Sequence, residues 1–274
     1  MRYIDLHVHT TCSDGVLSPT QAVEQAKKNN IAAIGITDHD TMQGVKLAEK
    51  AGKKFGVEVV PGIELSAGFK NIEVHLLGYY CNPEDSLLKK TLAWIRKSRF
   101  ERMNKMIAKL NEIKLNVEFS EVLEEAGGNM PGRPHLAMVI CRKGYCNTPA
   151  EVFAKYIGNN RKAYVERRKP SFQEALDLVH GAGGISVLAH PVIYKADELI
   201  PKMVDMGLWG IEAYHPKCRP VDSSRYVGIA REYNLLVTGG SDFHGKGLGS
   251  SDFIGAVKLD YKYLDKLKEA KNRV

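Results

Sequence analysis

Short apolar runs alternate along this chain with amphipathic segments of helical period. Runs rich in β-branched and aromatic residues have the length of buried strands at residues 3–8, 31–37, 57–63, 72–80, 185–189, 210–214 and 236–239. Helical patterns lie between several of them, at residues 21–28, 43–54 and 172–180. Because strands that alternate with helices form parallel sheets or barrels, the pattern predicts an α/β protein built from β/α units.

The predicted helices have clear start and stop signals. Ser18 followed by Pro19 is a typical N-cap with proline in the first turn, and Ser171 is a second N-cap. Gly56 is placed to end the second helix, because glycine readily adopts the left-handed conformation found just past helix ends.

The regular alternation is interrupted once. About a hundred residues separate the fourth and fifth predicted strands, whereas a crossover helix normally needs about 10 to 15. This segment contains a long helical pattern at 84–115, a shorter one at 119–125, the turn-rich sequence GGNMPGRP and a helix near 149–156. We therefore predict a mainly helical cap insert at 84–170, between barrel parts at 1–83 and 171–274.

Composition places the chain among globular proteins. It has 274 residues, of which 44% are hydrophobic and 26% charged. No run reaches the roughly 18 apolar residues of a membrane helix, and Asp5 and His7 interrupt what would be the apolar part of a signal peptide. We expect a cytoplasmic protein with no membrane partner.

The five cysteines form no C-x-x-C pair, so neither a disulfide framework nor a thiolate zinc site is indicated.

Histidine is concentrated at the predicted strands. Of the nine histidines, seven lie in or just beyond a strand, namely His7, His9, His39, His75, His190, His215 and His244. Carboxylates occupy similar places, namely Asp14, Asp38, Asp40, Glu64 and Asp242. The C-terminal strand ends of a β/α barrel open on one face, so we expect these side chains to converge there. His75 departs from the rule, because it lies early in its strand.

The spacing of these residues indicates metal binding. His7 and His9 form H-x-H on a strand, where alternate side chains point to one side, and Asp242 and His244 form D-x-H. Imidazole with carboxylate suits zinc, manganese or iron better than magnesium or calcium. Six imidazoles and at least three carboxylates exceed the four or five ligands of one ion. The sequence therefore predicts two or three ions.

An ordered set of motifs resembles the small phosphoesterase branch of the polymerase and histidinol phosphatase (PHP) family. The motifs are DLHVHTTCSDG, ITDHDT, VVPGIELSA, VHLLGY, LAHP, IEAYHP and GGSDFHG, with GRPHLA in the insert. The resemblance implies a distorted seven-stranded (β/α)7 barrel, the PHP fold, with a trinuclear metal site. Relatives that carry GRPH hydrolyse the 3′-phosphate of nucleoside 3′,5′-bisphosphates such as pAp, and some trim short RNA from the 5′ end.

The resemblance also implies which residues bind three divalent ions, Mn2+, Fe2+ or Zn2+. The first ion is assigned His7, His9, Glu64 and Asp242; the second shares Glu64 and adds His75 and His190; the third takes Asp14, His39 and His244. Three such ions with three carboxylates leave a positive site that suits a phosphate ester. A metal-activated hydroxide would then attack phosphorus.

Further residues are candidates for catalytic assistance or substrate binding. Asp38, Asp40 or His215 could orient the nucleophile or protonate the leaving oxygen, or could instead hold a ligand imidazole. Arg133, with His135 beside it, is the expected phosphate clamp because a guanidinium binds phosphate through two hydrogen bonds.

Three positions concern contact with the substrate. His215 is also expected to reach a phosphate. Arg161 and Lys162 replace part of a stretch that is usually glycine-rich in the family, and we expect them to contact the substrate.

The leading prediction is a phosphoric monoester hydrolase for a small nucleotide of the pAp type, with short 5′-phosphorylated RNA as a further substrate. An alternative is a phosphatase for AMP or histidinol phosphate. A C–N hydrolase of the amidohydrolase type also uses H-x-H, but such enzymes have eight strands. A non-catalytic nucleic-acid-binding module is the alternative from another class, although no aromatic-rich strand of the kind that stacks bases is present.

The net charge of +7 is unevenly distributed. Residues 89–169 hold 18 Lys+Arg against 8 Asp+Glu, whereas residues 1–88 have a net charge of −3 and residues 170–274 of zero. The basic excess therefore belongs to the insert, where it is expected to attract a polyanionic nucleotide.

Overall fold

The computed structural model describes residues 2–128 and 130–273. Its strands are β1 Tyr3–Val8, β2 Ile31–Ile36, β3 Glu58–Phe69, β4 Ile72–Tyr79, β5 Ile185–Leu188, β6 Gly210–Tyr214, β7 Leu236–Gly239, β8 Phe243–Gly245, β9 Leu248–Gly249 and β10 Leu259–Asp260. Its α-helices are α1 Pro19–Lys28, α2 Val45–Phe55, α3 Ser86–Glu112, α4 Phe119–Glu125, α5 Arg133–Arg142, α6 Pro149–Val152, α7 Phe172–Gly181, α8 Pro191–Tyr194, α9 Ile200–Asp205, α10 Pro220–Glu232 and α11 Lys262–Lys271. A π-helical turn at Phe153–Ile157 follows α6, and a 3-10 turn at Asp197–Leu199 precedes α9. Across these described ranges, no helix is both long enough and apolar enough to cross a membrane.

The strands form one curled, barrel-like sheet. Strands β1 to β7 follow one another across the sheet in chain order, each hydrogen-bonded to the next. Strands β1, β2 and β3 are parallel to one another, as are β5, β6 and β7. On the free side of β1, the short β8 pairs with it in parallel and β10 pairs antiparallel. This arrangement confirms the predicted α/β class and distorted β/α barrel.

Strand β4 departs from the parallel arrangement that is typical of β/α units. Strand β3 continues to Phe69, well beyond its predicted end, because the buried apolar pattern persists past Glu64. A tight turn, with Lys70 at a φ of 51°, then leads directly into β4, which runs antiparallel to both β3 and β5. Because β4 runs in the opposite direction, its early residue His75 lies opposite Ser66, in the C-terminal half of β3. A residue early in β4 therefore lies at the same edge of the sheet as residues late in the parallel strands.

The predicted helix ends are confirmed by their hydrogen bonds. The Ser18 hydroxyl accepts from the Gln21 amide and Ser171 does the same for Glu174, and each forms a complete capping box. Gly56 ends α2 in the left-handed conformation, with its N–H donating to the Gly52 carbonyl. These local signals are reliable because the groups that satisfy each helix end lie within a few residues of it.

Asp5 joins the first strand of the barrel to a distant part of the chain. Its buried carboxylate accepts hydrogen bonds from the amides of Ser241, at 2.8 Å, and Gly255, at 2.7 Å. Burial raises the pKa of Asp5 above the usual range of aspartate. A Cβ atom on Gly240 would lie 2.4 Å from the His7 amide nitrogen, so only glycine allows such a close approach to β1. We call this contact of β1 with residues 240–255 the barrel seam.

The chain divides into two compact units, residues 1–90 with 169–274 and residues 91–168. The second unit packs its helices around an apolar core that includes Met106, Leu110, Leu136 and Ile140. Helix α5 was not predicted; it begins within the last residues of the turn-rich sequence GGNMPGRP, whose Asn129 lies outside the described residues. The second unit holds 15 Lys+Arg against 8 Asp+Glu, so its net charge of +7 equals that of the whole chain.

Candidate active site

The residues predicted to bind metal converge at one edge of the barrel-like sheet. The seven contributing segments lie in or directly after strands: His7, His9 and Asp14 in or after β1, His39 after β2, Glu64 in β3, His75 in β4, His190 after β5, Asp242 after β7 and His244 in β8. The imidazole rings lie side by side, with centroids 4.0 Å apart for His9 and His244 and 5.1 Å apart for His75 and His190. The fold thus brings together side chains that are far apart in sequence.

The Glu64 carboxylate lies at the centre of this cluster and is fully buried. Its Oε2 lies 3.1 to 3.4 Å from one ring nitrogen of each of three imidazoles, those of His7, His9 and His39. Its Oε1 lies 2.8 Å from His75 Nδ1 and 2.9 Å from His190 Nε2. One carboxylate therefore faces two sets of imidazoles, which is the geometry of a bridging ligand.

Among the described residues, three groups of ligand atoms are compact enough to hold an ion, with all atoms of a group within 4.8 Å of one another. The groups are His7, His9, Glu64 and Asp242; His9, Asp14, His39 and His244; and His39, Glu64 and His75. The first is the predicted first set, and the second contains the predicted third set. The third group includes His39, whereas the prediction has His190 with Glu64 and His75. The assignment of ligands to individual ions stays a prediction.

The chemistry of the cluster fits divalent metal ions. The buried ring nitrogen His9 Nδ1 has no hydrogen-bond partner within the part of the chain that the structure describes. Burying such an atom without a partner costs about 1 to 3 kcal/mol, a cost that coordination to a metal would remove. Imidazole nitrogen with carboxylate oxygen is the ligand set that zinc, manganese and iron accept.

The protonation of the imidazoles is shifted by their surroundings. Burial opposes protonation of His9, but hydrogen bonds with Asp242 and Glu64 outweigh it and raise its pKa to about 10. Burial also opposes protonation of His75, but the Glu64 charge raises its pKa to about 9. His39 behaves differently, because burial lowers its pKa to about 3. Burial opposes protonation of His7 too, but the charges of the neighbouring carboxylates raise its pKa well above the usual value, so His7, His9 and His75 carry protons in the metal-free protein at pH 7.

Binding of Mn2+ to the metal-free protein at pH 7 is expected to release protons from His7, His9 and His75, because a ring nitrogen must lose its proton before it can coordinate. The apparent affinity should accordingly rise with pH until His75 and His9 lose their protons, at pKa values of about 9 and about 10. Titration calorimetry in buffers of different ionisation enthalpy counts these protons. A binding heat that is the same in all buffers would contradict the expectation.

Asp38 faces the loop that carries Asp14. Its Oδ1 accepts hydrogen bonds from the Thr10 amide, at 2.7 Å, and the Ser13 hydroxyl, at 2.6 Å, and its Oδ2 accepts one from the Thr10 hydroxyl at 2.7 Å. These contacts favour the alternative in which Asp38 holds the ligand-bearing loop in place. Its role in catalysis stays a prediction.

Asp40 and His215 also contact the framework of the site. Asp40 Oδ1 accepts a hydrogen bond from the Ser66 amide at 3.3 Å. His215 Nδ1 accepts a hydrogen bond from the Lys217 amide, so the ring proton is on Nε2. Nε2–H then donates a hydrogen bond to Asp242 Oδ2 at 3.3 Å. His215 is therefore positioned to hold the Asp242 carboxylate. The predicted contact of His215 with substrate phosphate is untested.

Sequence reasoning missed Glu212, a fully buried carboxylate in β6. Its Oε1 accepts a hydrogen bond from His7 Nδ1 at 2.9 Å, and its Oε2 accepts one from the His190 amide at 2.8 Å. The available signal was a lone glutamate inside the short strand motif IEAYHP, because a carboxylate in a buried strand needs strong hydrogen-bond donors.

The predicted substrate-binding residues lie in the second unit. Arg133 is the first residue of α5; its Nη1 donates to Asn159 Oδ1 at 3.1 Å and its guanidinium carbon lies 5.5 Å from the centre of the Phe153 ring. His135 Nδ1 accepts from the Gly132 amide at 3.1 Å. Arg161 and Lys162 are exposed. Their predicted contacts with substrate are untested.

The barrel-like fold and the buried cluster of histidines and carboxylates define a metal-dependent phosphoesterase. The family model of the PHP domain matches residues 5–180, and the chain belongs to the PHP family. It is a hydrolase that acts on phosphate esters, as the resemblance predicted.

Known relatives match nearly the whole chain. A 3′,5′-nucleoside bisphosphate phosphatase from Chromobacterium violaceum is 31% identical over 258 residues, which cover 92% of this chain and 90% of that protein. A 5′-3′ exoribonuclease from Haemophilus influenzae is 29% identical over 245 residues, covering 88% and 89%. The crystal structure of a metal-dependent phosphoesterase from Bifidobacterium adolescentis superimposes with a TM-score of 0.88 at 31% identity, covering 97% and 95%.

Proposed function

We propose that this enzyme hydrolyses the 3′-phosphate of nucleoside 3′,5′-bisphosphates of the pAp type, and that short 5′-phosphorylated RNA is a further substrate. The observation that carries the proposal is the charge of the second unit: its net charge is +7, whereas the net charge of the first unit is zero. A bisphosphate has a second phosphate that must be bound while the other reacts, and a basic unit suits that task. The likeness to the bisphosphate phosphatase of Chromobacterium violaceum supports the same substrate.

We further propose that the site holds three divalent ions, of Mn2+, Fe2+ or Zn2+. Bound ions supply Lewis-acid stabilisation of the charge on the phosphate oxygens. The residues of the chain hold this arrangement: Glu64 faces both sets of imidazoles, and Asp242 lies 3.3 Å from His9 Nε2. His215 holds Asp242 through its Nε2–H, and Asp38 fixes the loop that carries Asp14.

The substrate proposal is tested by hydrolysis of four compounds by manganese-loaded protein, which releases phosphate from a monoester and mononucleotides from a dinucleotide. The compounds are pAp, AMP, histidinol phosphate and a 5′-phosphorylated dinucleotide, with the products identified. The largest kcat/KM is expected for pAp. A larger value for AMP would overturn the proposal in favour of a monophosphate phosphatase, and binding of long RNA without turnover of any compound would favour the nucleic-acid-binding module.

Arg133→Ala is expected to lower kcat/KM for pAp about 10- to 100-fold, because a charged hydrogen bond to the phosphate that does not react contributes about 1.5 to 3 kcal/mol. Hydrolysis of an aryl phosphate, which has no second phosphate, should be unaffected. Steady-state kinetics on both substrates makes the comparison.

The matched control is Arg142→Ala, at the other end of α5, where the guanidinium pairs with Glu125. This variant should leave both reactions unchanged. Equal losses on pAp and the aryl phosphate in Arg133→Ala would contradict a role in binding the second phosphate.

A further inference from the structure

Glu212 touches two predicted metal ligands that are far apart in the chain. It is fully buried in β6, and its two carboxylate oxygens contact different partners, the His7 ring and the His190 backbone. We infer that Glu212 is a positioning residue that orients His7 and His190 for metal binding. This inference rests on the metal role proposed for the site.

The contact with His7 determines which nitrogen of that ring faces the ligand cluster. Glu212 Oε1 lies 2.9 Å from Nδ1, so the carboxylate, which can only accept, requires a proton on Nδ1. The opposite nitrogen, Nε2, then presents its lone pair to the cluster when the ring is neutral. Nε2 lies 3.1 Å from His9 Nε2, 3.4 Å from Glu64 Oε2 and 3.5 Å from Asp242 Oδ1. A carboxylate behind a ligand imidazole fixes both its tautomer and its orientation.

The contact with His190 acts through the backbone. His190 has a φ of 29° and a ψ of 57°, an unusual conformation for a residue with a side chain. The surrounding structure must hold such a backbone in place. Glu212 Oε2 accepts the His190 N–H at 2.8 Å, and the His190 ring then reaches Glu64 Oε1 with its Nε2 at 2.9 Å. Glu212 thus fixes imidazoles on both sides of the Glu64 carboxylate.

Replacement by glutamine separates this role from simple packing. A carboxylate accepts at both oxygens, whereas an amide of the same size accepts at one and donates at the other. In Glu212→Gln, the amide NH2 therefore opposes either the His190 N–H or the protonated Nδ1 of His7. In the second case His7 can relieve the conflict only by moving its proton to Nε2, where it blocks coordination.

The inference is tested by titrating Mn2+ into chelator-stripped protein in a calorimeter. Glu212→Gln is expected to bind Mn2+ about 10- to 100-fold more weakly than the wild type, with the melting temperature of each metal-free protein measured alongside. The control is Asp222→Asn, which alters another buried carboxylate, one paired with Arg219 and Arg225. Asp222→Asn should bind Mn2+ like the wild type.

Wild-type affinity in Glu212→Gln, or an equal loss in Asp222→Asn, would overturn the inference. A wild-type protein that binds no Mn2+ would instead overturn the metal role of the whole site. If Glu212→Gln does not fold, nitrogen NMR of zinc-loaded wild-type protein with labelled histidine decides. The expected spectrum shows His7 protonated at Nδ1 and coordinated through Nε2, whereas coordination through Nδ1 would overturn the inference.

Discussion

Glu64→Gln is expected to lower kcat/KM for phosphate-ester hydrolysis about a thousand-fold, the largest effect of any single substitution in the site. Both oxygens of this carboxylate face imidazoles, Oε2 toward His9 and His39 and Oε1 toward His75. Glutamine keeps the volume but removes one negative charge and turns an NH2 group toward one of the two sets. Two of the proposed ion positions would then be impaired at once, which the loss of a single terminal ligand would not do.

The control for this substitution lies on the same strand. Glu58→Gln, in β3, removes a carboxylate that pairs with Lys268 outside the cluster, and it should retain wild-type turnover. Metal analysis of purified Glu64→Gln protein should show fewer ions per chain than the wild type. Turnover within a few-fold of wild type in Glu64→Gln would rule out a bridging role for Glu64.

Removal of metal by a chelator is expected to abolish hydrolysis and to lower the melting temperature by roughly 10 °C relative to protein with metal at a thousand times its dissociation constant. A ligand that binds only the folded state stabilises it in proportion to the logarithm of its concentration over that constant. Metal removal also leaves His9 Nδ1 buried without a partner among the described residues. Differential scanning calorimetry and a phosphate-release assay measure the two effects.

Restoring Mn2+ to the stripped protein should recover both activity and melting temperature, and Fe2+ and Zn2+ can be compared in the same way. The Glu64→Gln variant should show a smaller rise in melting temperature on metal addition. Full activity in protein shown by metal analysis to be metal-free would exclude the metal-dependent chemistry.

The sequence predicted those parts of the fold that depend on neighbouring residues. The strands at 3–8, 210–214 and 236–239 agree with β1, β6 and β7 at both ends, and the caps at Ser18, Gly56 and Ser171 form as expected. Helix α5 was missed because Gly132 and Pro134, which begin it, are also typical of turns. The direction of β4 was missed because an apolar run has the same pattern in either direction.

The candidate site was predictable where residue type and strand position coincide. His7, His9, Glu64 and Asp242, which the resemblance assigns to one ion, lie in one compact group, and their binding of metal stays a prediction. The contacts that support this group were harder to predict from the sequence. Glu212 is 205 positions from His7 in the chain, and nothing near Glu212 in the sequence indicates that partner. Supporting contacts of this kind depend on how the strands pack, which short motifs do not encode.

The barrel seam has a consequence for the kinetics of folding. His9 and Asp242 are 233 positions apart in the sequence, yet they belong to one ligand group beside the seam. An ion bound there would act as a reversible cross-link between distant parts of the chain, and we expect it to bind only after the seam contacts of Asp5 with Ser241 and Gly255 have formed. Interactions that form after the transition state slow unfolding and leave the folding rate unchanged. Bound metal should therefore prolong the lifetime of the folded barrel without accelerating its formation.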